Sequence, residues 1–121
     1  MSTRKGEAPY AFSGLDRTFH EKARLGIVSS LIGHAEGLTF SDLKALCALT
    51  DGNLSRHLQI LEEAGHVLIE KIFDGRRYTT HCRLTDEGRV RFLEYLAELE
   101  RVLRQAAHGS VRGGKASPSP A

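Results

Sequence analysis

The chain has 121 residues, with 17 Lys and Arg against 15 Asp and Glu and a formal net charge of +2; that length supports one domain with a modest core, marginally stable as a lone protomer. So slight a positive balance excludes a protein that coats nucleic acid non-specifically, and any such affinity must come from local clusters of basic residues. Two cysteines, Cys47 and Cys82, lie far apart without Cys-x-x-Cys spacing, and no apolar run approaches a membrane span or a secretion signal; the expectation is a reduced, soluble, cytoplasmic protein with no membrane partner.

Residues 1–14 carry Gly, Pro, Ser and basic residues without an apolar period and read as a flexible arm, with Tyr10 and Phe12 its candidates for order. A single folded domain is expected over residues 15–107. Its first helix is predicted over Asp16–Gly33, with Leu25, Val28, Leu31 and Ile32 on one arc and the small residues Ala23, Gly26 and Ser30 on another, so that two faces are buried. Gly37-Leu38 suits a short strand that pairs with the β-rich runs farther along the chain. Thr39-Phe-Ser-Asp42 has the form of a capping box and opens a second helix, Phe40–Leu49, with Leu43, Leu46 and Cys47 directed inward. Gly52 is expected to supply the permissive backbone of a sharp turn.

The third helix, capped by Thr50 or Asp51 and stopped at Gly65, has an apolar stripe at Leu54, Leu58 and Leu61. At about 100° per residue, Gly52, Ser55, Arg56, Gln59 and Glu63 share the opposite face, with Asn53 and Ile60 on its edge. A solvated helix usually covers that face with long charges. Here it offers short hydrogen-bonding groups and one arginine, a composition suited to a major groove. Together with the second helix it makes a helix-turn-helix. His57 lies beside the stripe, where packing on the second helix and a hydrogen bond to a phosphate are both open.

Two β-rich runs follow, His66–Phe73 and Arg76–Leu84, around Asp74-Gly75. A two-residue Asp-Gly loop predicts a hairpin with Phe73 opposite Arg76, Lys71 opposite Tyr78, Ile69 opposite Thr80 and Val67 opposite Cys82. One face is then mainly apolar, and Lys71, Arg76 and Arg77 cluster near the tip, in reach of phosphates or a minor groove. Thr85-Asp-Glu starts the last helix with a cap and two acids. Within it Phe92, Leu96, Leu99, Leu103 and Ala106 form a coiled-coil-like seam, while Val90, Leu93 and Ala97 lie on another side and can pack on the hairpin or first helix. A second copy of the chain is the simplest partner for the extra apolar side. Residues 108–121, rich in Gly, Ser, Pro and Ala, read as a disordered tail.

These residues resemble the ArsR/MarR-like winged-helix transcriptional regulators of the small single-domain type. The marks are His20-Glu-Lys-Ala-Arg-Leu-Gly-Ile-Val-Ser29, Leu38-Thr-Phe-Ser-Asp-Leu43, Leu54-Ser-Arg-His-Leu-Gln-Ile-Leu-Glu-Glu-Ala-Gly65, Phe73-Asp-Gly-Arg-Arg77 and Leu84-Thr-Asp-Glu-Gly-Arg89. The resemblance implies a mainly α fold with a β-hairpin wing, in the order α-α-α-β-β-α, and homodimerisation through long terminal helices, with Leu25, Val28, Phe92, Leu96, Leu99 and Leu103 at the interface. It also implies regulation of transcription on a palindromic operator of double-stranded DNA, repression being the first expectation. Asn53, Ser55, Arg56 and Gln59 match its base-reading helix, to which His57 is added, and Arg76 and Arg77 match its wing tip, joined by Lys71.

The departures bear on cofactors. Metal-sensing members carry paired cysteines where this chain has Thr39-Phe-Ser-Asp42, and Glu94 and Glu98 lack a spaced histidine partner. The six histidines have no ligand spacing. No metal and no cofactor are therefore expected. No serine has a neighbouring base and acid, and no glycine-rich loop follows a strand, so an enzyme is not expected. Two rival readings are a winged helix that binds protein, and a sensor whose small-molecule effector, of unknown identity, sits between the terminal helices near Phe19, Tyr95 and Leu99.

Overall fold

The computed structural model describes Ala8 and residues 10–112; the expectations for the rest of the arm and for residues 113–121 of the tail lie outside the described residues. Helix α1 spans Lys22–Ile32, strand β1 Leu38–Thr39, helix α2 Phe40–Cys47, helix α3 Asp51–Glu63, strand β2 Val67–Phe73, strand β3 Tyr78–Leu84 and helix α4 Asp86–Arg112. The three strands form one antiparallel sheet in the order β1-β3-β2. This is the predicted mainly α fold with a hairpin wing and a long last helix.

Helix α1 starts six residues later than its apolar period suggests. Asp16 ties up a turn of its own, its side chain accepting from Thr18 N at 2.8 Å and its carbonyl from Phe19 and His20 N at 3.1 and 2.9 Å. That turn aims Phe19 into the core, and Glu21 then caps the helix by accepting from Arg24 N at 2.9 Å. Thr39 caps α2 as expected, its hydroxyl accepting from Asp42 N at 3.0 Å. The residue that reverses the chain after α2 is Ala48, in the left-handed region at φ 54°, a conformation that strains a non-glycine residue by about 1–2 kcal/mol. Gly52, by contrast, lies inside the first turn of α3. Leu43 is buried, but Leu46 is 60% exposed at the rim of a groove rather than directed inward.

The wing closes through four residues, not two. Phe73 pairs with Tyr78, Lys71 with Thr80, Ile69 with Cys82 and Val67 with Leu84. Asp74 Oδ1 accepts from the backbone N–H of Arg76 and Arg77 at 2.9 and 3.0 Å, and Asp74 N donates to Arg77 O at 3.1 Å. The carboxylate thus captures an amide that the tighter loop would have put in the ladder. The register moves by two residues, which preserves side-chain parity, so the apolar face remains the one expected. Gly37-Leu38 does meet the wing: Leu38 pairs with Cys82 and Thr39 with His81. At Gly37, φ is 96° and a Cβ would stand 2.6 Å from Cys82 O, so no side chain fits there.

Thr85 joins the end of α3 to the start of α4, its hydroxyl donating to Gly65 O at 2.7 Å and accepting from Gly88 N at 2.9 Å. A Cβ on Gly88 would collide with the His66 backbone, so this glycine lets the two helix ends touch. The core comprises Ile27, Val28 and Leu31 of α1, Leu43 of α2, Leu54, Leu58 and Leu61 of α3, Val67, Cys82 and Leu84 of the hairpin, Phe92 and Tyr95 of α4, and Phe19. Burial pushes the Cys82 thiol up to about 11, which leaves it a small apolar side chain rather than a reactive one.

The terminal-helix seam divides. Val28 and Phe92 are 0% and 1% exposed within one chain, and Leu25 and Leu99 pack half-buried against its core. Among the described residues, the large apolar side chains that α4 leaves exposed are Val90, Leu93, Leu96 and Leu103. Val90, Leu93 and Ala97, expected to pack on the hairpin or α1, are all exposed instead. Phe19 decides this, because its ring lies 5.3 Å from Phe92 and 5.7 Å from Tyr95 and draws that side of α4 inward. Helix α4 also runs through His108 to Arg112, into residues expected in the tail.

Candidate nucleic-acid interface

Helix α3 presents its outer face as the stripe and its cap dictate. Thr50 Oγ1 accepts from Asn53 N at 3.2 Å, while Leu54, His57, Leu58 and Leu61 are buried. That burial turns Asn53, Ser55, Arg56 and Gln59 to the exposed side. Arg56 Nη2 donates to Asn53 Oδ1 at 3.3 Å and Gln59 Nε2 to Glu63 Oε2 at 3.3 Å, so the polar groups form two loosely held pairs one turn apart. All of these retain hydrogen-bonding capacity toward a ligand. An exposed ion pair, Lys44 Nζ to Asp51 Oδ1 at 2.8 Å, spans the turn between α2 and α3, where solvent leaves it worth little.

His57 does not join that face. It is 6% exposed, and its Nδ1 accepts from Arg24 Nη1 at 3.1 Å while Glu21 Oε1 lies 3.8 Å away. Arg24 in turn donates from Nε to Thr18 O at 2.7 Å. One arginine of α1 thus clamps α3 to the Asp16 turn. Helical periodicity could not single out Arg24, because its partners come from two segments remote from α1's own stripe.

Two histidines are buried here, His57 within α3 and His66 just beyond its end. His57 is held below the ordinary histidine range by burial first, with Arg56 and Arg24 reinforcing and Glu21 opposing. His66 stacks on Phe19 with ring centroids 4.7 Å apart, its Nδ1 has no hydrogen-bond partner among the described residues, and burial holds it low against Asp16 and Glu87, with Arg91 reinforcing. Since both folded-state values are depressed, the unfolded chain takes up protons first. Stability is then fully present above the ordinary value of about 6.5 and falls as the pH drops through it. The urea midpoint is expected to fall between about pH 7.5 and about pH 5.5, and the paired change His57→Gln, His66→Gln to flatten that slope. An unsloped profile in the unaltered protein would contradict the assignment.

On the wing, Lys71, Arg76 and Arg77 are all exposed near the turn. The acid of the turn, Asp74, is occupied by the amides of Arg77 and Arg76, which hold its carboxyl below the usual range. The cations are thus not cancelled by an ion pair to it. Phe73 and Tyr78, which sequence reasoning did not mark as functional, are 54% and 67% exposed here; alternation on a hairpin gave them an inward face but not the point where the helices beneath it end. A groove of about 690 Å³ runs beside α3, lined in part by Leu25, Leu46, Cys47, Asn53 and Arg56. Of the residues expected near an effector, Phe19 and Tyr95 are buried and Leu99 packs partly buried against the core, and a mostly polar groove lined by Asp16, Arg17, Arg91 and Glu94 lies against Tyr95. Among the described residues no group of three or more His, Cys, Asp or Glu could hold a metal ion, and no helix is long and apolar enough to cross a membrane.

Comparison with known proteins agrees with this geometry. Residues 23–103 match the family described as a winged helix DNA-binding domain. The chain is 39% identical over 83 residues to an uncharacterised protein of Methanocaldococcus jannaschii, covering 69% of this chain and 89% of that one. Among solved structures, a transcriptional regulator homologue from Pyrococcus horikoshii OT3 superimposes with a TM-score of 0.70 at 29% identity, covering 74% of this chain and 87% of the other. A MarR family transcriptional regulator from Silicibacter pomeroyi shares the fold with a TM-score of 0.51 at 21% identity, covering 84% and 77%. The chain belongs to the winged helix DNA-binding domain family and shares the fold of a MarR family transcriptional regulator.

Proposed function

We propose that the protein is a sequence-specific transcriptional regulator, a repressor in the first instance, that binds an imperfect palindrome as a homodimer. The observation that carries this reading is the exposed face of α3, where Asn53, Ser55, Arg56 and Gln59 stand clear of the core beside a wing whose tip is cationic. Two such helices, related by a two-fold axis, would enter major grooves one helical turn apart. The apolar side chains that α4 leaves exposed, Val90, Leu93, Leu96 and Leu103, support pairing with a second copy. The groove beside Asn53 and Arg56 is where a small-molecule effector would bear directly on the base-reading face.

The test is fluorescence anisotropy of the full chain against its own upstream DNA and a scrambled duplex over a salt series, with light scattering for the mass. Tighter binding to the upstream DNA, weakening steeply with salt, supports the reading. Arg76→Ala or Arg77→Ala is expected to weaken both duplexes alike. In a dimer each substitution removes two phosphate contacts, so the slope of log affinity against log salt should fall by about 1.8. Salt-insensitive or absent binding to every duplex would favour a protein-binding winged helix instead.

A further inference from the structure

The wing carries more apolar surface than a solvated hairpin needs. Strand parity puts Val67, Ile69, Lys71 and Phe73 on one face with Leu84, Cys82, Thr80 and Tyr78. At the helix end this face is core, with Val67 3% and Cys82 0% exposed; at the tip it emerges as Phe73 at 54% and Tyr78 at 67%. The two rings are direct cross-strand partners, their centroids 4.9 Å apart and their planes tilted by 46°. Ile72, on the opposite face, is 45% exposed. The described chain leaves this blade largely uncovered.

Its surroundings identify what would cover it. Lys71, Arg76 and Arg77 rim the rings, and the only acid at the turn, Asp74, has its charge directed at the two arginine amides. A second copy would bring the same cations to the same place, so self-association at the tip is opposed by like charge. A polyanion with an apolar interior suits both parts at once. In duplex DNA, phosphates line the two edges of the minor groove, while sugar walls and base steps lie between them; apolar side chains pushed into a step unstack it and bend the duplex.

We propose that Phe73 and Tyr78 form an apolar wedge that the wing seats in the minor groove of bound duplex DNA, bending it. This rests on the reading of the protein as a DNA-binding regulator. Because the two rings are held side by side on a paired hairpin, little conformational freedom is lost on insertion.

The experiment uses the full chain and duplexes enriched by it from a random-sequence pool, labelled at their two ends with donor and acceptor dyes. Anisotropy reports binding and energy transfer reports bending. The unaltered protein should raise the transfer by an amount matching a bend in the range of about 20–90°. The double variant Phe73→Ala, Tyr78→Ala should keep its circular dichroism and bind within roughly tenfold of the original affinity, while losing at least about half of the bend. Phe73→Tyr with Tyr78→Phe should bend the duplex as the original does. DNA that is bound but straight, or bent equally by the alanine variant, overturns the wedge while leaving DNA recognition standing. A double variant that changes the mass by light scattering with no change in bend reassigns the rings to a contact between copies, and overturns it too. Failure to enrich or bind any duplex removes the regulator reading, and the wedge with it.

Discussion

Phe92→Ala is expected to cost about 3–5 kcal/mol of folding stability and to lower the melting temperature by on the order of 20 °C. Phe92 is 1% exposed. Its ring meets Phe19 edge-on at 5.3 Å and stacks on Tyr95 with centroids 5.8 Å apart. Truncation would open a cavity beside the Phe19 and Tyr95 rings, between α4 and the Asp16 turn. Tyr95 is further constrained by the 2.7 Å hydrogen bond between its hydroxyl and His20 Nδ1. The loss should be the same at every protein concentration, because Phe92 is buried within a single chain. Leu93→Ala, at a position 51% exposed, removes little that one chain buries, so any cost there should vary with concentration as dimer stability does. Urea melts of both variants at two concentrations separate these cases. A Phe92→Ala cost below about 1 kcal/mol, or one that disappears at high concentration, would place Phe92 at a dimer seam instead.

That contrast shows how much of this molecule could be read from the chain. Helix α3 was legible because its signals are local: Thr50 caps it, Leu54, Leu58 and Leu61 turn inward, and Gly65 ends it at φ 83°. The wing and the Thr85 cap were legible for the same reason. The register of the wing was not, since it depends on whether Asp74 offers its carboxylate to the amides of Arg76 and Arg77 or leaves them to the ladder, and both fit an Asp-Gly sequence. Nor was the division of α4. Its period marks two adjoining apolar arcs, but which arc goes inward depends on Phe19, more than seventy positions away in the chain. The first turn of the predicted α1 failed similarly, because an aspartate able to bond Thr18 competes with helix formation there. Helical period leaves His57 open between packing and phosphate, and its burial against Arg24 follows from tertiary placement alone.

Arg56→Ala is expected to cost about 1–3 kcal/mol per half-site in binding the preferred operator, a loss of roughly 5- to 150-fold for each protomer, and to relax the base preference at one position. Arg56 is exposed on the outer face of α3, and its guanidinium is steadied by Asn53 Oδ1 at 3.3 Å. That contact leaves most of its planar fork open, which is the geometry that reads the O6 and N7 acceptors of guanine. Because the side chain buries nothing in its own chain, thermal stability should stay within about 0.5 kcal/mol of the original. The measurement is anisotropy against the preferred duplex and its single-base variants at fixed salt. An arginine that only holds phosphate would weaken all of them equally, as is expected for Arg76 and Arg77 on the wing. An arginine that reads a base would compress the differences at one position per half-site and leave the others intact, and Arg56→Lys should restore affinity better than base discrimination because an ammonium lacks the bidentate fork. A uniform loss across the series would move Arg56 from the reading face to the backbone contacts, and Asn53 with Gln59 would then have to carry the specificity.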